Sequence, residues 1–208
     1  QVDLAVEYFK SRFKVNPIGM WPSEESVSEH IIPILIKSGI KWIVTDEAIL
    51  FKSVNLHKRD TDILYQPHYV ETKEGAINII FRDRNLSDLI GFEYAKWNPK
   101  DAANDFIKHL ENIAEAYKDK DILVTIAMDG ENAWEYFIYD GHPFLRHLYQ
   151  GLTQSCMIKT TTVNEYLNLF PAQKKINKLG AGSWIFGEFS KWINNPLKNK
   201  GWEYLAIA

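Results

Sequence analysis

Four short apolar runs, each closing on charged residues, constrain this chain more than any other feature. They lie at residues 17–21, 40–45, 76–81 and 122–128, and the charges that follow are Glu24-Glu25, Asp46-Glu47, Arg82-Asp83 and Asp129 with Glu131. Apolar runs of this length, rich in Ile, Val and Phe, read as buried strands. Helical patterns alternate with them at 3–14, 26–37, 86–92 and 100–117, with Ser26 or Ser28 available to cap the second. Residues 65–69 read as a loop. Strands alternating with helices imply a parallel α/β arrangement with right-handed crossovers. In such folds ligands bind at the C-terminal ends of the strands, so the four charged clusters are expected to face a common crevice. Beyond Asp140 the pattern turns helical, at 144–152 and 162–169, and then gives a glycine-rich loop at 180–187.

Composition removes several classes of function. The 208 residues carry a net charge of −3, so there is no basic face of the kind a nucleic-acid footprint needs. The single cysteine, Cys156, excludes an intramolecular disulfide and a cysteine-rich zinc module. No apolar run approaches the roughly 20 residues of a membrane span. The chain opens without a signal-peptide pattern, which favours the cytoplasm. Both ends, Val2 to Phe9 and Trp202 to Ala208, read as the interior of helices, so the chain is expected to be a fragment of a longer protein.

The chemistry rests on carboxylates beside tryptophans. A glycosidase needs an acid/base, a nucleophile and flat aromatic faces for sugar rings. Taken alone, Glu24 also reads as a solvated charge at a helix start, and Glu25 reads more simply that way. Asp129 before an apolar helical run also reads as a cap. Asp46, Glu47 and Asp83 stand open between site, cap and ion pair. Of the seven tryptophans, Trp42 reads as core and Trp97 and Trp202 as packing. Trp134 is open between packing and binding, and the loop position of Trp184 favours a sugar platform. The six histidines are scattered. His142 and His147 are five apart and do not share a helix face for a metal, which counts against a metal-dependent deacetylase. The loop at Gly180 lacks the lysine and spacing of a phosphate loop, and no Gly-x-Ser-x-Gly elbow occurs.

Five ordered motifs carry a resemblance. They are GMWPSEESVS at 19–28, GIKWIVTDEAIL at 39–50, FRDRNLSDLIGF at 81–92, MDGENAWEYF at 128–137 and GSWIFGEFSKWI at 182–193. With them the chain resembles glycoside hydrolase family 57, a group of α-amylases, amylopullulanases, 4-α-glucanotransferases and branching enzymes. The resemblance implies an incomplete, seven-stranded (β/α) barrel, represented here by its C-terminal four strands and a helical C-terminal segment. It implies Glu24 as nucleophile, Asp129 as acid/base, Glu131 as a sugar contact, and Trp21 and Trp184 along the substrate cleft. Trp134, Asp46, Arg82 and Asp83 complete the expected substrate-binding set, with Arg82 helping to keep a neighbouring carboxylate ionised. The family's His-Gln-Pro-like and Gly-Asn-x-Glu-like motifs are missing. His68 follows Gln66-Pro67 in the wrong order and is no substitute. Asn194 replaces a glycine often seen after Trp-Ile.

The expected organisation is a partial catalytic barrel over residues 1–140 and a helical part of the same catalytic region over 141–208. The expected function is a retaining hydrolase or glucanotransferase acting on α-linked glucans or maltooligosaccharides, with no cofactor and no metal. No nucleic-acid or membrane partner is expected. An open barrel edge would leave unpaired strand groups that favour self-association. The alternative is a catalytically incomplete fragment, inert or binding α-glucan only through its tryptophans.

Overall fold

The computed structural model describes residues 1–207. In chain order its helices are α1 (Val2–Phe13), α2 (Ile32–Lys37), α3 (Glu47–Ser53), α4 (Thr61–Leu64), α5 (Arg84–Asp88), α6 (Pro99–Ala116), α7 (His142–Gln154), α8 (Val163–Leu169) and α9 (Pro196–Ile207). The strands are β1 (Gly19–Met20), β2 (Trp42–Asp46), β3 (His68–Thr72), β4 (Gly75–Arg82) and β5 (Lys174–Lys175). The chain divides into two units, one comprising residues 1–81 and those from 172 onward, the other residues 82–171.

The first unit carries the sheet, in the order β1-β2-β4-β3-β5. β1 runs parallel to β2, with Gly19 opposite Trp42 and Met20 opposite Ile43. Trp42 lays its indole over Gly19, where an added Cβ would sit 2.1 Å from the ring, so only glycine fits there. The α/β class and strand positions near 19, 42 and 76 match the sequence reading, but the sheet is mixed. Residues 68–72, of which 68 and 69 fall in the loop expected at 65–69, form a strand antiparallel to β4, from His68 opposite Ile79 to Thr72 opposite Gly75. The connection is the dipeptide Lys73-Glu74, which lacks the Asn-Gly or Asp-Gly signal of a two-residue hairpin. The expected helix at 26–37 shortens to α2, because Pro33 suits the first turn and opens a helix rather than continuing one. Ile32, Leu35, Ile43, Ile49, Leu50 and Ile79 lie fully buried in this unit.

His68 is a buried polar group in this sheet, edge-on to Phe81 at 5.5 Å. Burial pushes its pKa from 6.5 down to about 4; a backbone bond to Gln66 opposes the shift and the charge of Lys174 adds to it. The unfolded chain therefore holds a proton on His68 between those two values when the folded chain does not. The contribution to stability is full above pH 6.5 and is lost as the pH falls toward about 4. His68→Gln is expected to flatten this part of the stability profile, measured by urea unfolding at pH 7 and 4.5. Equal losses in variant and parent would show that His68 contributes nothing to the slope.

The second unit is built on α6 and α7. Asn98 caps α6 by accepting from the Lys100 amide at 3.0 Å, and Pro99 occupies its first turn. Ala102, Ala103 and Phe106 of α6 bury against a cluster with Phe137, Phe144 and Leu148. A capping box of Thr162 and Glu165 starts α8.

The fourth expected strand, at 122–128, runs without a ladder. Its backbone groups are met otherwise. The Asp83 amide donates to the Thr125 carbonyl at 2.8 Å, the Ala127 amide to the Ser87 hydroxyl at 3.2 Å, and Arg82 Nη1 to the Ala127 carbonyl at 3.3 Å. Val124, Ile126 and Met128 pack on the helical core. Its apolar residues are only partly buried, Ala127 apart, and side chains take over part of the role of a neighbouring strand.

Candidate active site

In the first unit the site begins where β1 ends. Trp21 and Pro22 lead into a tight turn at Ser23–Glu25, in which Glu24 and Glu25 both adopt left-handed backbone, φ +56° and +51°. For residues other than glycine such conformations cost about 1–3 kcal/mol each and persist only where the surroundings over-determine them. Here they do. The Thr45 hydroxyl donates to the Glu25 carbonyl at 2.7 Å, and the Trp184 amide donates to the Glu24 carbonyl at 3.2 Å. Val27 and Gly182 exchange both backbone bonds, at 2.8 and 3.0 Å. Glu25 is fully buried, so its reading as a solvated helix-start charge is corrected. Glu24 remains half-exposed.

The glycine-rich loop supplies the facing wall. Lys52 donates to the Ala181 carbonyl at 2.7 Å, the Gly180 amide to the Ser53 hydroxyl at 2.8 Å, and the Leu179 amide to Glu29 at 3.2 Å. Gly182 is required by close approach, since a Cβ would lie 2.2 Å from the Gly187 carbonyl oxygen. Held in this way, Trp184 donates its indole N–H to Glu24 Oε2 at 2.9 Å. Its ring meets Trp21 edge to face, centroids 5.4 Å apart and planes 89° apart. Trp21, Glu24 and Trp184 are therefore brought together. Asp46 is fully buried and accepts from the Ala48 amide at 2.8 Å as the cap of α3. Glu47 is paired with Arg59, Nε to Oε1 at 2.9 Å.

The second unit holds the other expected residues. Arg82 is buried and bonds Asp88 at 3.2 Å as well as the Ala127 carbonyl. Asp83 is buried and caps α5 through the Leu86 amide at 3.0 Å. Asp129 is half-buried and Glu131 exposed. Trp134 donates its indole N–H to the Gly130 carbonyl at 3.0 Å, while its ring packs on Phe137 and Phe144. That bond closes the turn carrying Asp129 and Glu131, so Trp134 packs and shapes this loop.

The sequence reading missed Ser87, which lies inside the motif at 81–92. It is buried, donates to the Asp83 carbonyl at 2.7 Å and accepts from the Ala127 amide, two residues before Asp129. Flanked by Leu86 and Asp88, it carried no distinguishing signal in the sequence. Ser87→Ala leaves a buried amide unsatisfied and is expected to cost about 1–3 kcal/mol, read as a lower urea midpoint. An unchanged midpoint would mean that water or a backbone shift takes over the bond.

Among the described residues no helix is long and apolar enough to cross a membrane, and no three His, Cys, Asp or Glu side chains gather to hold a metal.

The first unit is thus an α/β sheet with Trp21 and Glu24 following a parallel strand and Trp184 brought against them from a loop. The model of Glycosyl hydrolase family 57 matches residues 1–178. The chain belongs to that family. Solved structures of the same fold include a 4-α-glucanotransferase from Thermococcus litoralis, 21% identical with TM-score 0.69 over 88% of this chain and 27% of that one. A GH57-type branching enzyme from Pyrococcus horikoshii is 18% identical, TM-score 0.73, over 93% of this chain and 45% of that one. The α-amylase AmyC from Thermotoga maritima is 14% identical, TM-score 0.67, over 88% and 46%. The chain thus spans less than half the length of each. Comparison with curated proteins returns no match.

Proposed function

We propose that the chain is part of the catalytic region of an enzyme that hydrolyses or transfers α-linked glucans by double displacement. The observation that carries this reading is Glu24, held on a strained turn with its carboxylate against the Trp184 indole and beside Trp21. A strained backbone at a half-exposed carboxylate is a mark of a functional position. Family membership supports the substrate class.

In this mechanism Glu24 attacks the anomeric carbon while protonated Asp129 gives its proton to the departing glycosidic oxygen. Asp129 then takes a proton from water, or from an acceptor sugar hydroxyl in a transfer. Trp21 and Trp184 offer faces for sugar rings, and Glu131 lies exposed to contact hydroxyls. Asp46, Arg82, Asp83 and Trp134 act one step back, by holding the strand ends and the Asp129 turn. In this reading residues 1–140 carry Glu24 and Asp129, and residues 141–208 carry Trp184.

The test is incubation with maltooligosaccharides, reading the first product by proton NMR. Product formed initially in the α configuration is the expected result. Product appearing first as the β anomer would overturn double displacement. A second reading, supported by the chain's spanning 27% to 46% of the three enzymes above, is that these residues bind α-glucan without turnover. Retained affinity with no product would select it.

A further inference from the structure

We propose that Trp184 is the positioning residue of the Glu24 nucleophile, selecting which carboxylate oxygen attacks, beyond any role as a sugar platform. This rests on the reading of Glu24 given above. The two residues are 160 apart in sequence, yet they are joined twice. The backbone amide of Trp184 donates to the Glu24 carbonyl at 3.2 Å, and its indole Nε1–H donates to Oε2 at 2.9 Å. The first bond ties the loop to the left-handed turn. The second fixes rotation about the last bond of the glutamate side chain, which is otherwise a broad, weakly restrained torsion.

An indole has one N–H and no acceptor, so it engages one carboxylate oxygen and not both. Oε2 is engaged, and Oε1 is left as the attacking oxygen. In the first step Oε1 forms a bond to the anomeric carbon as the glycosidic C–O bond breaks, and the departing oxygen takes the proton of Asp129. Oε2 becomes the carbonyl oxygen of the glycosyl ester and keeps the indole as its donor. The indole is itself held rigid. Trp21 meets its ring edge to face, and the loop that carries it is anchored by Lys52, Ser53 and Glu29. A donor placed this way holds the reacting oxygen near attack geometry before substrate arrives.

The deciding substitution is Trp184→Phe, which retains an aromatic face and removes the N–H. A positioning role predicts that kcat on maltooligosaccharides falls roughly 10- to 100-fold, the scale of a hydrogen bond to a charged group, with KM within about twofold. A platform role alone predicts kcat near the parent value, and that result overturns the proposal.

The second arm does not depend on turnover. In the nitrogen-15 spectrum of the indole N–H groups, the resonance absent in Trp184→Phe belongs to Trp184. It is expected to move upfield and exchange faster with solvent in Glu24→Ala. The indole of Trp202, bonded to the Trp192 carbonyl at 3.1 Å, is the internal control and stays in place. A Trp184 resonance indifferent to Glu24→Ala overturns the proposal outright. A resonance that moves in a parent protein without turnover overturns the enzymatic reading while leaving the hydrogen bond established.

Discussion

Glu24→Gln is expected to reduce turnover of maltooligosaccharides by about 10⁴-fold or more, the scale on which loss of a covalent nucleophile acts. The substitution exchanges one oxygen for an NH2 of almost the same size, so the turn at Ser23–Glu25 and its bonds from Thr45 and Trp184 to backbone carbonyls remain. An amide is a poor nucleophile and does not expel a protonated sugar oxygen, so the first displacement stops. Sugar affinity, which the proposed function assigns to Trp21 and Trp184, is expected to stay within a few-fold of the parent by calorimetric titration. Loss of both affinity and turnover would point to a folding defect, and thermal unfolding of the variant decides that. Turnover within tenfold of the parent removes Glu24 from the nucleophile role.

Phe144→Ala carries the largest expected effect on stability. The side chain is fully buried, and its ring lies 5.2 Å from Phe137, 5.9 Å from Tyr94 and 6.4 Å from Trp134. Removing it takes away transfer free energy and leaves a cavity among rigid rings that cannot close in, for about 3–5 kcal/mol. That is a large share of the total stability of a typical domain, so a clear fall of the urea midpoint is expected. Phe144→Leu keeps most of the volume and is expected to cost much less. On the proposed function the damage is expected to reach activity as well. Trp134 rests on Phe144 and its N–H closes the turn at Gly130, so the loop carrying Asp129 is expected to loosen and turnover to fall with stability. Equal midpoints for the alanine and leucine variants would show that this core collapses around the gap.

The sequence announced the site residues more clearly than their surroundings. Trp-Pro-Ser-Glu and Asp-Gly-Glu-Asn single out Glu24 and Asp129 as the proposed pair through the family resemblance, and each segment follows an apolar run. Asp46 and Asp83 were ambiguous for a physical reason. A carboxylate at a strand-to-helix junction serves equally well as a ligand or as an N-cap, and only the placed amides of Ala48 and Leu86 reveal the caps. Glu25 shows the limit of local reading. Its charge suggested solvent, while the turn that Thr45 and Trp184 stabilise carries it fully inside.

By itself the sequence determined the alternation of apolar runs and helices, the acids at the run ends and the loop that bears Trp184. Those features are local, set by periodicity, capping and glycine, and can be read from neighbours a few residues apart. Tertiary structure alone decided that residues 68–72 pair antiparallel with β4, and that residues 122–128 lie bonded to Asp83, Ser87 and Arg82 rather than in a ladder. It alone decided that the indole of Trp184 reaches Glu24. Each is a pairing across a distance in sequence, and a hydrogen-bond partner at that range is chosen by what folding brings alongside.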